Sequence, residues 1–212
     1  MTMGYLGSFS QGLLFFSLIL FLFNKIEIGR EKRLLILYIA IAALSDVTAT
    51  TTLYYSIKNI WLAHIYFPIE FLFFFLILLQ WVIRYRKYWI IAGVIVGTYI
   101  ALDYFFLSDL SMYSAMALSI QSSFFFLFSA SILIEITTRN FIPFYKDERF
   151  YIAAGIFIYS GLTSLTYLFY NAFNVLFPFY VVSLSGICLN LLFTYAMVLY
   201  YRKRKMLAEA LK

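Results

Sequence analysis

Two carboxylates and the only histidine of the chain lie inside otherwise apolar sequence. Asp46 and Glu70 each interrupt a run of hydrophobic residues, and His64 precedes Glu70 by six positions. Charged groups in such surroundings are costly, and they mark ion paths, proton relays or ligand sites in membranes. Two like charges that lie close together in low dielectric repel each other. We therefore expect the pair to share a proton or to hold a cation between them.

Helical spacing places further polar side chains beside the two carboxylates. Asp46, Thr50 and Tyr54 are four residues apart and share one helix face, as do Tyr66 and Glu70. Both helices can therefore turn a polar stripe toward a common interior. The residues that we predict to bind a ligand are Asp46, Thr50, Tyr54, His64, Tyr66, Glu70 and Gln121.

His64 and Gln121 carry weaker predictions. His64 lies about 6 Å below the outer end of its span, where it either lines an outward-facing pocket or simply hydrogen-bonds a neighbour at a helix interface. Pro68 can kink the same helix and leave a backbone carbonyl free. Gln121 lies at mid-depth in a later span, where an interhelical hydrogen bond is its expected structural role.

The composition of the chain indicates that membrane-spanning helices position these groups. Of the 212 residues, 64% are hydrophobic and only 12% are charged, and the mean hydropathy is +0.90. Soluble domains carry roughly 25% charged residues, and a transmembrane helix needs about 20 apolar residues. The fold class is therefore an all-α membrane protein. We predict a single seven-helix transmembrane domain over 1–201 and a basic tail over 202–212, with spans at about 4–24, 34–57, 60–83, 88–106, 111–137, 150–170 and 175–201.

The distribution of basic residues predicts the orientation of the bundle. Of 16 lysines and arginines, 15 fall on one side of the predicted spans, and only Lys58 falls opposite. By the positive-inside rule, the N-terminus is outside and the C-terminus is cytoplasmic. With a rise of about 1.5 Å per residue, Asp46 lies about 18 Å from its inner helix end and Glu70 about 15 Å from its outer end. The two carboxylates are thus predicted at similar depth.

Other features predict packing at helix contacts and ends. Gly93 and Gly97 have GxxxG spacing, which permits close helix approach either inside the bundle or in a dimer. We expect internal packing. Glu135 is placed to pair with Arg139 one turn later.

Several enzyme and binding classes are excluded by counting residues. One histidine and one cysteine, Cys188, cannot supply a histidine-rich zinc site or an internal disulfide. The sequence has no Walker loop, GxSxG or CxxC motif, and 175–201 has no lysine for a retinal Schiff base. We expect no cofactor and no metal. The basic residues lie at span ends, which indicates topology and lipid contact rather than nucleic-acid binding.

Three stretches carry a family resemblance. They are YFPIEF at 66–71, DERFYIAAGIFIYSG at 147–161 and SLSGICLNLLFTYAM at 183–197. With these, the chain resembles the small uncharacterised seven-span membrane proteins common in Bacteroidota. The resemblance implies a polytopic protein of the cell (inner) membrane and an association with sensory and histidine-kinase systems.

Three functions fit the sequence. The favoured one is a receptor-like or sensory module that binds a small apolar or amphipathic ligand in an outward-facing pocket and signals in trans to a partner. The alternatives are a small proton-coupled transporter and a lipid-modifying enzyme, both using Asp46 and Glu70. The absence of internal repeats disfavours transport, and the absence of nucleophile or metal motifs disfavours catalysis. Membrane lipid is the one partner common to all three.

Overall fold

A computed structural model describes residues 30–55, 60–107, 114–139, 143–169 and 176–210, together with isolated helical positions at 12, 15, 16 and 19. Six long helices occupy these ranges, and each contains a stretch long and apolar enough to cross a membrane. The all-α, polytopic membrane architecture is therefore confirmed for this part of the chain. Apart from its four isolated positions, the span predicted at 4–24 lies outside the described residues. The helices are α1 Arg30–Tyr54, α2 Ile60–Leu79, α3 Arg86–Leu102, α4 Ala115–Arg139, α5 Glu148–Leu168 and α6 Leu176–Ala210.

Side-chain contacts show which helix ends lie together. Lys32 at the start of α1 contacts Glu148 at the start of α5, and Glu148 also contacts Lys203 near the end of α6. We call this end of the bundle the basic end. At the opposite end, His64 near the start of α2 contacts Tyr104, which follows α3. The helices therefore alternate in direction along the chain, as short connections require.

The centre of the bundle is α4. In its most apolar stretch 56% of the residues are buried, against 17% in α3, which lies at the periphery. The core around α4 consists largely of aromatic rings. Trp89 stacks on Phe128 with 4.5 Å between ring centroids, and Phe71 lies 5.1 Å from Phe125. Stacked and edge-on rings fill this layer with large, rigid side chains.

Threonines on the exposed part of α1 hydrogen-bond within their own helix. The hydroxyls of Thr48, Thr50, Thr51 and Thr52 each donate to the backbone carbonyl four residues earlier, over 2.8 to 2.9 Å. This pattern satisfies each hydroxyl without a partner from another helix. The threonine hydroxyls between 48 and 52 can therefore lie near lipid although they are polar.

The two glycines with GxxxG spacing receive aromatic rings from α2. A β-carbon on Gly93 would overlap the Phe75 ring, and one on Gly97 would come within 2.8 Å of the Phe71 ring. Both contacts are internal to the bundle, as expected. The glycines therefore set the close approach of α3 to α2.

Glu135 fixes the loop between α2 and α3. Its carboxylate accepts hydrogen bonds from the backbone N–H groups of Ile83 at 3.0 Å and of Arg84 at 2.7 Å. The next residue, Tyr85, has a left-handed backbone with φ of 60°. The predicted partner of Glu135 was Arg139, whose side chain lies outside the described part of the structure. The observed role depends on residues some fifty positions away, which local helical spacing cannot reveal.

Asp147 caps the start of α5. Its carboxylate accepts from the backbone N–H of Arg149 at 3.0 Å and pairs with the Arg149 guanidinium at 2.6 Å. Burial raises the pKa of Asp147, but the hydrogen bonds and charge of Arg149 outweigh it, and the net pKa lies below the ordinary value. An acidic side chain here also complements the positive end of the helix dipole.

Replacing Gly93 by alanine is expected to destabilise the bundle. The Phe75 ring lies against Phe71 and Phe128, so it has little room to move away from a new methyl group. Overpacking of this kind costs about 1 to 3 kcal/mol, measurable as a lower midpoint of thermal unfolding in detergent. Gly186→Ala is the matched control, because a β-carbon added there would meet no neighbouring atom within 4 Å. Equal unfolding midpoints for both variants would contradict this packing.

Asp147 is expected to make part of the stability depend on pH. A carboxyl whose pKa is lowered by folding stabilises the protein above its unfolded value of about 3.9, and this stabilisation is lost as the pH falls through the folded value. Unfolding midpoints measured between pH 7 and pH 3 should therefore fall less steeply at the acidic end for Asp147→Asn than for the wild type. Arg149→Gln should have the same effect. Unchanged pH profiles in both variants would refute the assignment.

Candidate functional site

The Glu70 carboxylate lies in the middle of α2, about 15 Å from the start of that helix by its rise, and only 3% of the residue is exposed. Its Oε1 accepts hydrogen bonds from the hydroxyls of Tyr38 and Tyr66, each over 3.2 Å. Its Oε2 accepts one from the Gln121 amide over 3.4 Å. These four residues, which we call the Glu70 network, join α1, α2 and α4.

Each member of the network is positioned by regular helix geometry. Tyr66 precedes Glu70 by four residues, so both project from one face of α2. Tyr38 comes from the antiparallel α1, and its hydroxyl also lies 3.3 Å from the Tyr66 hydroxyl. Gln121 comes from the central helix α4. The carboxylate thus receives three donors in an apolar layer, where a buried charge without hydrogen bonds would be very costly.

The Glu70 carboxylate has hydrogen-bond donors, but it has no cationic partner among the described side chains. Within the described ranges, no lysine or arginine forms an ion pair with Glu70. Asp46 lies close enough to interact electrostatically with it, which adds a second carboxylate to the region. The Glu70 network therefore supplies donors to the carboxylate but no cation.

The Gln121 side chain has one polar atom left over. Its Nε2 donates to Glu70, whereas its Oε1 is buried and has no hydrogen-bond partner in the described part of the chain. Only 3% of the residue is exposed. Buried polar atoms in native structures usually have a partner, and an exception calls for an explanation such as a bound water, ion or ligand.

Asp46 and Thr50 lie farther along α1 from the basic end than the network does. The α1 residue bonded to Glu70 is Tyr38, eight residues and therefore about 12 Å before Asp46 along the helix. Asp46 is half-buried, and its backbone carbonyl accepts from the Thr50 hydroxyl at 2.9 Å. The α1 side chain that hydrogen-bonds Glu70 is therefore Tyr38, while Asp46 interacts with Glu70 electrostatically.

Tyr54 lies at the exposed end of α1. It is 82% exposed, and its ring lies edge-on to that of Tyr55 with 5.3 Å between the centroids. Of the seven predicted ligand-binding residues, the hydrogen bonds bring together Tyr66, Glu70 and Gln121. They leave Tyr54 apart from this buried group.

His64 is buried but points toward α3. Its Nδ1 lies 3.2 Å from the backbone carbonyl of Tyr104, and the two rings meet edge-on at 5.2 Å. Because a carbonyl oxygen only accepts, Nδ1 must carry the hydrogen in this bond. Tyr104 belongs to the wide π-type turn Asp103–Leu107 that ends α3, where carbonyls lack intrahelical donors. His64 thus satisfies a helix end, in line with the structural alternative stated above for this residue.

Tyr38 is the site residue that the sequence prediction missed. It precedes Asp46 by eight residues, so the stripe of Asp46, Thr50 and Tyr54 continues backward through Ala42 to Tyr38. Extending the four-residue spacing by two steps would have identified it. A tyrosine in a chain that contains 19 carried no distinguishing signal of its own.

A second polar cluster ties three helices at the basic end. Lys32 is only 3% exposed, and its ammonium lies 3.4 Å from Glu148 and 5.0 Å from the centre of the Tyr200 ring. Lys203 approaches the other oxygen of Glu148 at 3.8 Å. We call Lys32, Glu148, Tyr200 and Lys203 the Lys32 cluster. It joins α1, α5 and α6.

Elsewhere the polar interior is structural, and its described part holds no recognisable metal site. The hydroxyls of Ser123 and Ser164 lie 2.6 Å apart and link α4 to α5. Among the described residues, no group of three or more histidine, cysteine, aspartate or glutamate side chains could hold a metal ion.

The chain matches no protein-family model, no curated protein sequence and no solved structure.

Proposed function

We propose that this chain is a receptor-like or sensory protein of the cell (inner) membrane that binds a small apolar or amphipathic ligand in a pocket at the Glu70 network. In this proposal the bundle has seven transmembrane helices, with the N-terminus outside and the C-terminus in the cytoplasm. The pocket opens to the outside. The basic end then faces the cytoplasm, in agreement with the one-sided distribution of lysine and arginine.

The observation that carries this proposal is the buried Glu70 carboxylate with donors from three helices and no described cationic partner. A carboxylate in the middle of a membrane-spanning helix costs several kcal/mol. Apolar residues of similar size would fill the same space without that cost. A role in recognition is the simplest physical reason to keep it.

Helix α1 offers a route from this site to the basic end. Tyr38 of the Glu70 network and Lys32 of the Lys32 cluster are six residues apart, which is about 9 Å along the helix. A ligand that takes over the hydrogen bond from Tyr38 to Glu70 would release α1 from α2. Small shifts of one helix are a common signalling motion, and this one would reach the ion pair of Lys32 with Glu148. A cytoplasmic partner would then read the change in trans.

The proposal is tested by labelling the basic end and adding ligands. Arg202→Cys, in a Cys188→Ser background, provides a single exposed position for an environment-sensitive fluorophore. The protein in lipid nanodiscs is titrated with small amphipathic compounds that have neutral, anionic and cationic head groups. We expect at least one class to produce a saturable change in fluorescence.

Variants of the Glu70 network should separate this response from general membrane effects. Glu70→Gln removes the negative charge that the ligand would contact through a charge-assisted interaction worth about 1.5 to 3 kcal/mol, so the midpoint of the titration should rise about ten-fold or more. Tyr38→Phe removes the hydrogen bond that the ligand would displace, so it should reduce the size of the fluorescence change without raising the midpoint. Tyr88→Phe is the matched control, because Tyr88 is 67% exposed and lies at the basic end. Its titration should equal that of the wild type.

Two results would overturn the proposal. One is the lack of a saturable response to any class of compound in folded wild-type protein. The other is an equal response in Glu70→Gln, with folding verified by size-exclusion chromatography and thermal unfolding. Uptake of the active compound into proteoliposomes, dependent on Glu70 and on a proton gradient, would instead identify the alternative function, a proton-coupled transporter.

A further inference from the structure

We propose that the ligand of the Glu70 network carries a protonated amine, and that this ammonium group binds between Glu70 and Gln121. The inference rests on the proposed function, since it names the chemical class recognised at the same site. It goes beyond that function because a receptor of this architecture could equally recognise neutral or anionic amphiphiles.

The first argument is the inventory of hydrogen-bond acceptors. A carboxylate oxygen can accept about two hydrogen bonds. Oε1 of Glu70 accepts from two tyrosines, but Oε2 accepts only from Gln121 within the described chain. The adjacent Oε1 of Gln121 accepts none from those residues. Acceptor capacity on two neighbouring side chains is thus unused, and an ammonium group brings three N–H donors to it.

The second argument is charge. Glu70 and Asp46 interact electrostatically in the bundle, and the lysine and arginine side chains that the structure describes belong to the basic end. An anionic head group would add repulsion to this region, and a neutral one would leave its charge uncompensated. A ligand ammonium supplies to Glu70 the opposite charge that no lysine or arginine side chain within the described ranges supplies.

The third argument separates an organic ammonium from a bare metal ion. The two tyrosines that bond the carboxylate contribute aromatic rings, and further rings pack around Tyr38. The Tyr38 ring lies 4.8 Å from that of Phe74 and 6.1 Å from that of Phe193, and Tyr159 lies 6.3 Å from Phe74. Aromatic faces attract organic cations, whereas hard metal ions require about six or more oxygen ligands. The aromatic side chains beside Tyr38 therefore suit an alkylammonium better than a bare metal ion.

Compounds with one alkyl tail and different head groups test this inference directly. Octylammonium, octyltrimethylammonium, octanol and octanoate are titrated into wild-type protein in nanodiscs of phosphatidylcholine and phosphatidylglycerol, with thermal unfolding as the readout. We expect saturable stabilisation by octylammonium, with an apparent Kd at least ten-fold below those of octanol and octanoate. The trimethyl compound has no N–H donors and should bind more weakly than octylammonium.

Variants locate the binding. Glu70→Gln should weaken octylammonium binding at least ten-fold, and Gln121→Leu should weaken it several-fold by removing the unused acceptor. Gln80→Leu is the matched control, because Gln80 donates to the Leu76 carbonyl on its own helix. It should bind octylammonium like the wild type. Gln121→Leu, which leaves the Glu70 charge in place, serves alone if Glu70→Gln does not fold.

The lipid composition of the nanodiscs distinguishes a lipid amine from a free amine as the natural ligand. Adding phosphatidylethanolamine to the nanodiscs should raise the apparent Kd of octylammonium if a lipid amine occupies the site, and should leave it unchanged if the ligand is a free amine. A sodium titration at constant ionic strength that stabilises the wild type, but not Glu70→Gln, would overturn the inference in favour of an inorganic cation.

Failure of the inference is distinct from failure of the proposed function. Binding of octanol or octanoate that equals that of octylammonium, and that still depends on Glu70, would overturn the ammonium assignment and leave a ligand site in place. Octylammonium binding that is unaffected by both Glu70→Gln and Gln121→Leu would also overturn it. Only the loss of all saturable, Glu70-dependent responses would remove both.

Discussion

The cost of holding a carboxylate inside an apolar layer governs the arrangement of this bundle. Glu70 requires donors in the middle of its helix, where neither water nor lipid supplies them. The structure provides them from three helices, through Tyr38, Tyr66 and Gln121. The depth and rotation of α1 and α4 relative to α2 are therefore constrained by one side chain. The aromatic core packs around that constraint.

The sequence was sufficient for those features that depend on local composition. Apolar runs of about twenty residues predict the six described spans, because bilayer thickness and helix rise set that length. The i, i+4 spacing predicted that Tyr66 and Glu70 share a face, and mid-depth placement singled out Gln121. The close approach at Gly93 and Gly97 also followed from spacing. These inferences use distances along a single helix.

The features that the sequence did not reveal depend on the register between helices. Tyr38 of α1 hydrogen-bonds Glu70, a contact that the sequence prediction, which considered Asp46 on this helix, did not include. Glu135 binds the backbone of a loop about fifty residues away, a contact that spacing along its own helix does not predict. Lys32 looked like one of many basic loop residues and is buried against Glu148. Relative helix rotation and sliding have no signature in a single sequence.

The two glutamates at the basic end divide that surface into separately fastened groups. Glu135 on α4 holds the connection between α2 and α3, while Glu148 on α5 holds α1 and α6 through two lysines. The described helix ends at this face therefore form two groups of three: α2, α3 and α4 around Glu135, and α1, α5 and α6 around Glu148. Loss of the contacts between Glu148 and the two lysines would leave the hydrogen bonds of Glu135 to the loop backbone in place. The two groups share none of these contacts, so a change in one does not require a change in the other.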